Sequence, residues 1–120
     1  MTENIFNDWL DQILKTEKPN ADIQAYYFGI LETEDGYETY LVGSEEFDEE
    51  DEDWACNTDF EPKYKYLTIG QNGVDWELIL ADVKKNIENY IQSPNFKNSF
   101  LEKAKAIATG FDGGDLFRIK

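Results

Sequence analysis

The chain has 120 residues, and its 26 acidic side chains against 11 basic ones give a formal net charge of −15. This negative surplus argues against nucleic acid or an anionic membrane as a direct partner, because both would repel the protein. Histidine is absent, which excludes catalytic and metal sites that depend on an imidazole. The length and the 41% of hydrophobic residues predict a single domain over residues 1–120 with its own core.

The cysteine content and the N-terminal sequence indicate a cytoplasmic protein. Cys56 is the single cysteine, so no internal disulfide can form and a reducing compartment is expected. The first residues show no basic stretch followed by an apolar run, so no signal peptide is expected. Apolar runs of only a few residues are far shorter than a membrane span.

The first predicted element is an amphipathic helix. Apolar residues between Ile5 and Leu14 recur at helical spacing, with Thr2 as the expected N-cap. The helix should end before Pro19, because the residue that precedes a proline is disfavoured in the helical region.

Three strands are predicted next. Residues 23–31 are rich in tyrosine, phenylalanine and isoleucine, which is typical of a strand. Glu34-Asp35-Gly36 then predicts a tight turn into a second strand over residues 37–42, because glycine accepts the positive φ of such a turn. Alternating residues over 63–69 predict the third strand.

The second half of the chain predicts two helices and a final strand. Apolar residues at helical spacing from Trp76 to Ile91 follow the Asn72-Gly73 turn, and Ser93-Pro94 should end this helix. A further helix is predicted over residues 96–108, with Gly110 as its stop. Gly113-Gly114 then predicts a turn into a short strand at 116–119. This element order favours an α+β fold, with an antiparallel sheet of about four strands packed against three helices.

The strongest compositional feature is the acidic segment, which we define as Glu45–Asp53. Eight of its nine residues carry a carboxylate, namely Glu45, Glu46, Asp48, Glu49, Glu50, Asp51, Glu52 and Asp53. Phe47 interrupts the segment and Trp54 follows it, and both side chains are costly to leave in water. We therefore expect a loop that two aromatic residues hold against the protein while its carboxylates point outward.

Three interpretations of the acidic segment compete with partner binding. A calcium loop needs alternating ligands and a central glycine, and residues 48–59 have neither, so no metal or other cofactor is expected. A catalytic carboxylate pair needs two acids on separate elements of a cleft, whereas these acids are contiguous, so no enzyme is expected. A solvated loop that only confers solubility stays open as the alternative, and the chain would then be a non-enzymatic housekeeping or regulatory domain.

Partner binding is the interpretation that this pattern favours most. A dense negative surface attracts and orients a basic protein, and tryptophan and tyrosine are typical interface anchors. The candidate partner-binding residues are the eight carboxylates of the acidic segment together with Trp54. Most of the six tyrosines in the predicted sheet are expected in the core or in cross-strand pairs, and Cys56 is expected to be buried and inert.

Four stretches of the sequence carry a resemblance to a known class of proteins. They are Tyr27-Phe28-Gly29, Tyr40-Leu41-Val42-Gly43-Ser44, the acidic segment and Asp53-Trp54-Ala55-Cys56, and they fall within residues 26–60. In these stretches the chain resembles the small acidic immunity proteins of bacterial polymorphic toxin systems. The resemblance implies a cytoplasmic, non-enzymatic protein that neutralises a cognate toxin, with a basic nuclease as the expected partner.

Overall fold

The structure is a computed structural model that describes residues 3–120. Its helices and strands are α1 (Glu3–Thr16), β1 (Ala25–Thr33), β2 (Gly36–Ser44), β3 (Tyr66–Gln71), α2 (Trp76–Tyr90), β4 (Ala106–Phe111) and β5 (Phe117–Arg118). Two 3₁₀ helices, Glu52–Cys56 and Pro94–Phe96, lie between them. Over the described residues the strands form one five-stranded sheet in the order β3-β2-β1-β4-β5. The β1–β4 pair is parallel and the other neighbours are antiparallel, so the fold is α+β with a mixed sheet.

The predicted third helix is wrong, so the described residues form two α-helices rather than three, and a mixed sheet of five strands rather than an antiparallel sheet of about four. Residues 97–105 are turns and irregular chain, and Ala106–Phe111 is a strand that pairs in parallel with β1 from Ala25↔Ala106 onward. Alanine favours helices, but here the hydrogen bonds to β1 on one side and β5 on the other override that preference. Gly110 lies inside β4 and ends no helix. A Cβ at this position would lie 2.3 Å from the carbonyl oxygen of Asp115.

The elements predicted for the first half are confirmed with small shifts at their ends. Helix α1 buries Phe6, Trp9, Leu10 and Ile13 on one face. Thr2, the predicted N-cap, lies outside the described residues. The β1–β2 hairpin turns at the predicted place, where Gly36 has a φ of +144°.

The second helix and its flanking turns are also confirmed. Gly73 has a φ of +92° in the turn before α2, and Asp75 is the N-cap, whose side chain accepts a hydrogen bond from Glu77 N at 3.0 Å. Trp76 is 54% exposed and so lies outside the core. The predicted turn at Gly113 is present with a φ of +80°, although it joins two strands rather than a helix and a strand.

The two faces of the sheet are covered differently, and this positions the candidate site. Helices α1 and α2 cover one face and form the main core with side chains from β1 to β4. The other face carries a smaller buried cluster, which consists of Ala25, Tyr27, Val42, Trp54, Ala106 and Ala108. The chain that follows β2, including the acidic segment, covers this second face. None of the described helices has the length and apolar character needed to cross a bilayer.

Candidate partner-binding site

The loop that carries the acidic segment is closed at its two ends. Gly43, in β2, forms an isolated antiparallel bridge with Phe60. Gly43 N donates to Phe60 O at 2.9 Å, and Phe60 N donates to Gly43 O at 3.1 Å. Because the bridge holds residues 43 and 60 side by side, residues 45–59 form a compact loop that leaves the sheet and returns to it.

Hydrogen bonds fix the first two residues of the acidic segment. Ser44 Oγ donates to Glu46 O at 2.8 Å and accepts from Glu46 N at 3.1 Å. Glu45 N donates to Asp59 Oδ2 at 2.8 Å, across the base of the loop. Asn57 Nδ2 approaches Glu46 Oε2 at 3.3 Å. The segment therefore leaves β2 in a defined direction.

Two aspartates shape the rest of the segment through turns in their own backbone. Asp48 Oδ1 accepts a hydrogen bond from Glu50 N at 2.9 Å. Asp51 Oδ1 accepts one from Asp53 N at 3.0 Å, which caps the 3₁₀ helix Glu52–Cys56. Short acceptor side chains satisfy the backbone donors of such turns, so a run of like charge is compatible here with ordered structure.

Trp54 and Phe47 hold the segment against the second face of the sheet. Trp54 is only 5% exposed and belongs to the same buried cluster as Ala25, Ala106 and Ala108, whose small side chains leave room for the indole. The ring of Phe47 is half-buried and meets the indole edge-on, with centroids 5.6 Å apart and an interplanar angle of 73°. The expected loop with two aromatic anchors is confirmed.

The burial of Trp54 corrects one part of the predicted binding site. An indole packed beneath the loop has too little free surface to contact a partner directly. Its part in binding, if the loop binds a partner, is to hold the carboxylates in place.

The carboxylates of the acidic segment all lie at the surface. Each of its eight acidic residues is exposed. Within residues 3–120 only two ion pairs form, and the one that involves this segment joins Glu49 Oε1 to Arg118 Nη1 at 3.3 Å. The guanidinium of Arg118 also lies 5.2 Å from the centre of the Phe47 ring. The segment thus presents a surplus of negative charge that the described residues do not neutralise.

A pocket of about 420 Å³ lies beside the end of the acidic segment, and we call it the tyrosine pocket. Glu52 and Asp53 contribute to its lining, together with Tyr27, Tyr40 and Asp112. Tyr40 Oη donates to Asp112 Oδ1 at 2.5 Å. Tyr27 Oη donates to Gly110 O at 2.9 Å and lies 3.3 Å from the same Asp112 oxygen.

The electrostatics of the tyrosine pocket keep its hydroxyl groups protonated. Burial, reinforced by the neighbouring Asp112 carboxylate, raises the pKa of both Tyr27 and Tyr40 above the ordinary value of 10.0. At neutral pH these hydroxyls are hydrogen-bond donors and not bases. Asp112 was not predicted as a partner of the tyrosines, because Tyr27 and Asp112 are 85 residues apart and no local pattern connects them.

The exposure of Cys56 contradicts the prediction that this thiol is buried. Cys56 is exposed and contributes to the lining of the tyrosine pocket. In a 3₁₀ helix with about three residues per turn, a side chain two positions after Trp54 points away from the surface that Trp54 covers. The helix therefore buries Trp54 and leaves Cys56 outside.

The tyrosines divide between the core and the surface. Tyr26, Tyr27 and Tyr37 are buried, whereas Tyr64 and Tyr66 are each 52% exposed.

Among the described residues no three acidic or cysteine side chains converge as a metal site would require. The chemistry that the exposed carboxylates do support is the binding of cationic groups.

Comparisons with protein-family models, with curated proteins and with solved structures find no match to this chain. The resemblance to immunity proteins therefore stays a prediction.

Proposed function

We propose that this chain is a non-enzymatic inhibitor that binds a basic protein through the acidic segment. The proposed partner is a bacterial toxin with a nuclease activity, and the chain acts on it in the cytoplasm as an immunity protein. The observation that carries the proposal is the presentation of eight exposed carboxylates on a loop that Trp54 and a set of hydrogen bonds hold in place.

The proposed mechanism is occlusion of the surface with which the toxin binds its substrate. A nuclease groove uses lysine and arginine side chains to bind phosphates. The carboxylates of the acidic segment would pair with those side chains and exclude the nucleic acid. An ordered loop loses less conformational entropy on binding than a flexible acidic tail, so its preorganisation favours affinity.

The charges of the segment contribute mainly to the rate of association and to the choice of partner. Solvent-exposed ion pairs contribute about 0–1 kcal/mol each. A negative surface nevertheless accelerates encounter with a positive one and disfavours partners of like charge. Tight binding also needs contacts that exclude water, and the buried indole of Trp54 does not provide them.

The architecture of the loop favours this function over a role in solubility alone. Exposed charge keeps a protein soluble wherever it lies, and it requires no fixed conformation. Here the bridge of Gly43 to Phe60, the capping by Asp51 and the burial of Trp54 all fix where the carboxylates lie. Such ordering is expected of a surface that must match another protein.

The proposal is tested with two variants of matched charge. In the neutralised variant the substitutions are Asp48→Asn, Glu49→Gln, Glu50→Gln, Asp51→Asn, Glu52→Gln and Asp53→Asn. Asparagine retains the side-chain acceptor that the turns at residues 48 and 51 require, so the loop should keep its shape. The control variant makes the same glutamate-to-glutamine and aspartate-to-asparagine changes at six exposed residues elsewhere, namely Glu3, Glu34, Glu88, Asp8, Asp22 and Asp35.

The tagged wild type and both variants are used to capture partners from the cytosol of the source cells, with elution by a salt gradient and mass spectrometry. We expect the wild type and the control variant to retain a basic protein that the neutralised variant loses. The captured protein should degrade plasmid DNA or RNA, and one equivalent of the chain should suppress that activity. Equal capture by all three proteins, or nuclease activity that the chain leaves unchanged, would contradict the proposal.

A further inference from the structure

A second concave surface lies between α2 and the strands β4 and β5, and we call it the aromatic groove. It has a volume of about 770 Å³. Its apolar lining consists of Tyr37, Trp76, Leu80, Ala81, Phe111 and Phe117. It lies outside the acidic segment, and none of its lining residues belongs to the predicted partner-binding site.

The aromatic side chains of the groove combine a fixed floor with an exposed wall. The ring of Phe111 meets Tyr37 at 6.0 Å and Trp76 at 5.9 Å, and both contacts are edge-on. Tyr37 is 4% exposed, and its hydroxyl donates to Val74 O at 2.9 Å, which fixes the floor. Trp76 is 54% exposed. An exposed tryptophan beside an aromatic floor is the type of residue that dominates binding energy in protein interfaces.

The charges around the groove indicate the sign of its partner. Glu32, Glu77 and Asp115 contribute carboxylates to the lining, and all three residues are exposed. The one basic residue of the lining is Lys84, whose ammonium group lies 4.5 Å from the centre of the Phe117 ring. Three carboxylates against one ammonium favour an occupant that carries positive charge beside its apolar group.

The groove adjoins the surface to which we assign partner binding. Phe111 and Gly114 contribute to the lining of both the aromatic groove and the tyrosine pocket. The tyrosine pocket in turn borders the acidic segment at Glu52 and Asp53. A protein bound to the segment can therefore reach the groove across the turn that contains Gly114.

We propose that the aromatic groove receives an apolar side chain flanked by lysine or arginine from the basic partner of the acidic segment. The inference rests on the proposed function and supplies the water-excluding contact that the burial of Trp54 removes from the segment. Charge complementarity at the rim and the exposed face of Trp76 carry it. The groove then provides affinity, and the acidic segment provides attraction and orientation.

Three short peptides test this inference on the full chain without knowledge of the partner. They are acetyl-Lys-Phe-Lys-amide and two controls, in which either glutamate replaces both lysines or alanine replaces the phenylalanine. Each is titrated against ¹⁵N-labelled protein and followed by NMR chemical shifts. We expect the first peptide to shift amides around the groove, with an affinity at least about tenfold higher than that of either control.

Variants of the groove make the test specific. Trp76→Ala removes the exposed wall. Ala81→Gln places a larger, uncharged side chain in the groove, and glutamine is compatible with the helix because it is a good helix former. Both should weaken binding of the first peptide by about fivefold or more. Leu78→Ala is the control, because Leu78 is 65% exposed and lines a separate depression on the other side of α2. It should leave the affinity unchanged.

Four results would overturn the inference: shifts confined to the acidic segment, no shifts at all, equal affinity for the glutamate peptide, or unchanged binding by both groove variants. Self-association that covers the groove at NMR concentrations would overturn it as well, since the occupant would then be a second copy. If the peptides do not bind but partner capture still depends on the acidic segment, this inference alone is wrong. If partner capture does not depend on the acidic segment, the proposed function is wrong, whatever the result with the peptides.

Discussion

The ring of Phe47 lies edge-on against the indole of Trp54, with centroids 5.6 Å apart. In the sequence, most of the acidic segment lies between these two residues. One indole thereby connects a highly charged loop to the alanine-rich face of the sheet. The stability of the fold and the position of the carboxylates consequently depend on the same side chain.

Removal of that side chain should destabilise the protein strongly. We expect Trp54→Ala to lower the free energy of unfolding by about 3–5 kcal/mol, because it leaves a cavity above the small residues of the sheet. Phe47→Ala should cost clearly less, because Phe47 is only half-buried. Urea denaturation followed by circular dichroism measures both. A loss below about 1 kcal/mol for Trp54→Ala would show that the indole does not anchor the loop.

Gly29 and Tyr40 should be energetically coupled across the hairpin. A Cβ on Gly29 would lie 2.2 Å from Cζ of Tyr40, so Gly29→Ala must displace the ring and break its hydrogen bond to Asp112. We expect a loss of about 1–3 kcal/mol in unfolding free energy. In a Tyr40→Ala background the same substitution should cost at least about 1 kcal/mol less. Additive effects in this double-mutant cycle would argue against the contact.

The protein should lose stability at alkaline pH. The pKa of Tyr27 and of Tyr40 is raised in the folded state, above the value of 10.0 expected in the unfolded chain. The unfolded chain therefore releases these protons first, and the stabilisation is fully present below pH 10 and falls as the pH rises further. Urea denaturation at about pH 8 and about pH 11 measures the fall.

Phenylalanine variants separate this contribution from other alkaline titrations. Replacement of both Tyr27 and Tyr40 by phenylalanine should reduce the dependence on pH. The double variant with phenylalanine at Tyr64 and Tyr66, which are each 52% exposed, is the control for the effect of the substitutions themselves. An identical dependence in the two double variants would contradict the assignment.

Trp76 should dominate the quenching of tryptophan fluorescence by ions. Trp9 and Trp54 are 9% and 5% exposed, whereas Trp76 is 54% exposed. Because Glu77 and Asp115 line the groove beside Trp76, caesium should quench more effectively than iodide at equal ionic strength, when the quenching by each ion is divided by its quenching of free N-acetyltryptophanamide. Trp76→Phe should abolish most of the difference. A larger scaled quenching by iodide would contradict the negative potential of the aromatic groove.

Local sequence signals were sufficient for α1, α2 and the β1–β2 hairpin. The apolar spacing of α1 and α2, the Asp35-Gly36 turn and the Asn72-Gly73 turn depend on neighbouring residues alone, and each was predicted correctly. The attachment of the acidic segment to the body of the protein was also predictable, because the apolar side chains of Phe47 and Trp54 would be costly to expose in a solvated spacer.

The rest depends on contacts between residues that are distant in the chain. Ala106 and Ala108 lie in a strand that pairs with β1, and both belong to the buried cluster of Trp54, whereas in isolation the same alanines favour a helix. The contact between Tyr27 and Asp112 spans 85 residues. The local sequence pattern predicts neither the parallel pairing of β4 with β1 nor the exposure of Trp76.

The central claim is that the acidic segment attracts and binds a basic protein. Its most direct test is the association rate constant with the captured partner, measured by stopped-flow fluorescence over a range of salt concentrations. For the wild type and the control variant we predict a fall of about tenfold or more between low and high salt, and for the neutralised variant a slow rate with little salt dependence. An association rate that is independent of salt, or equal for the wild type and the neutralised variant, would contradict the claim.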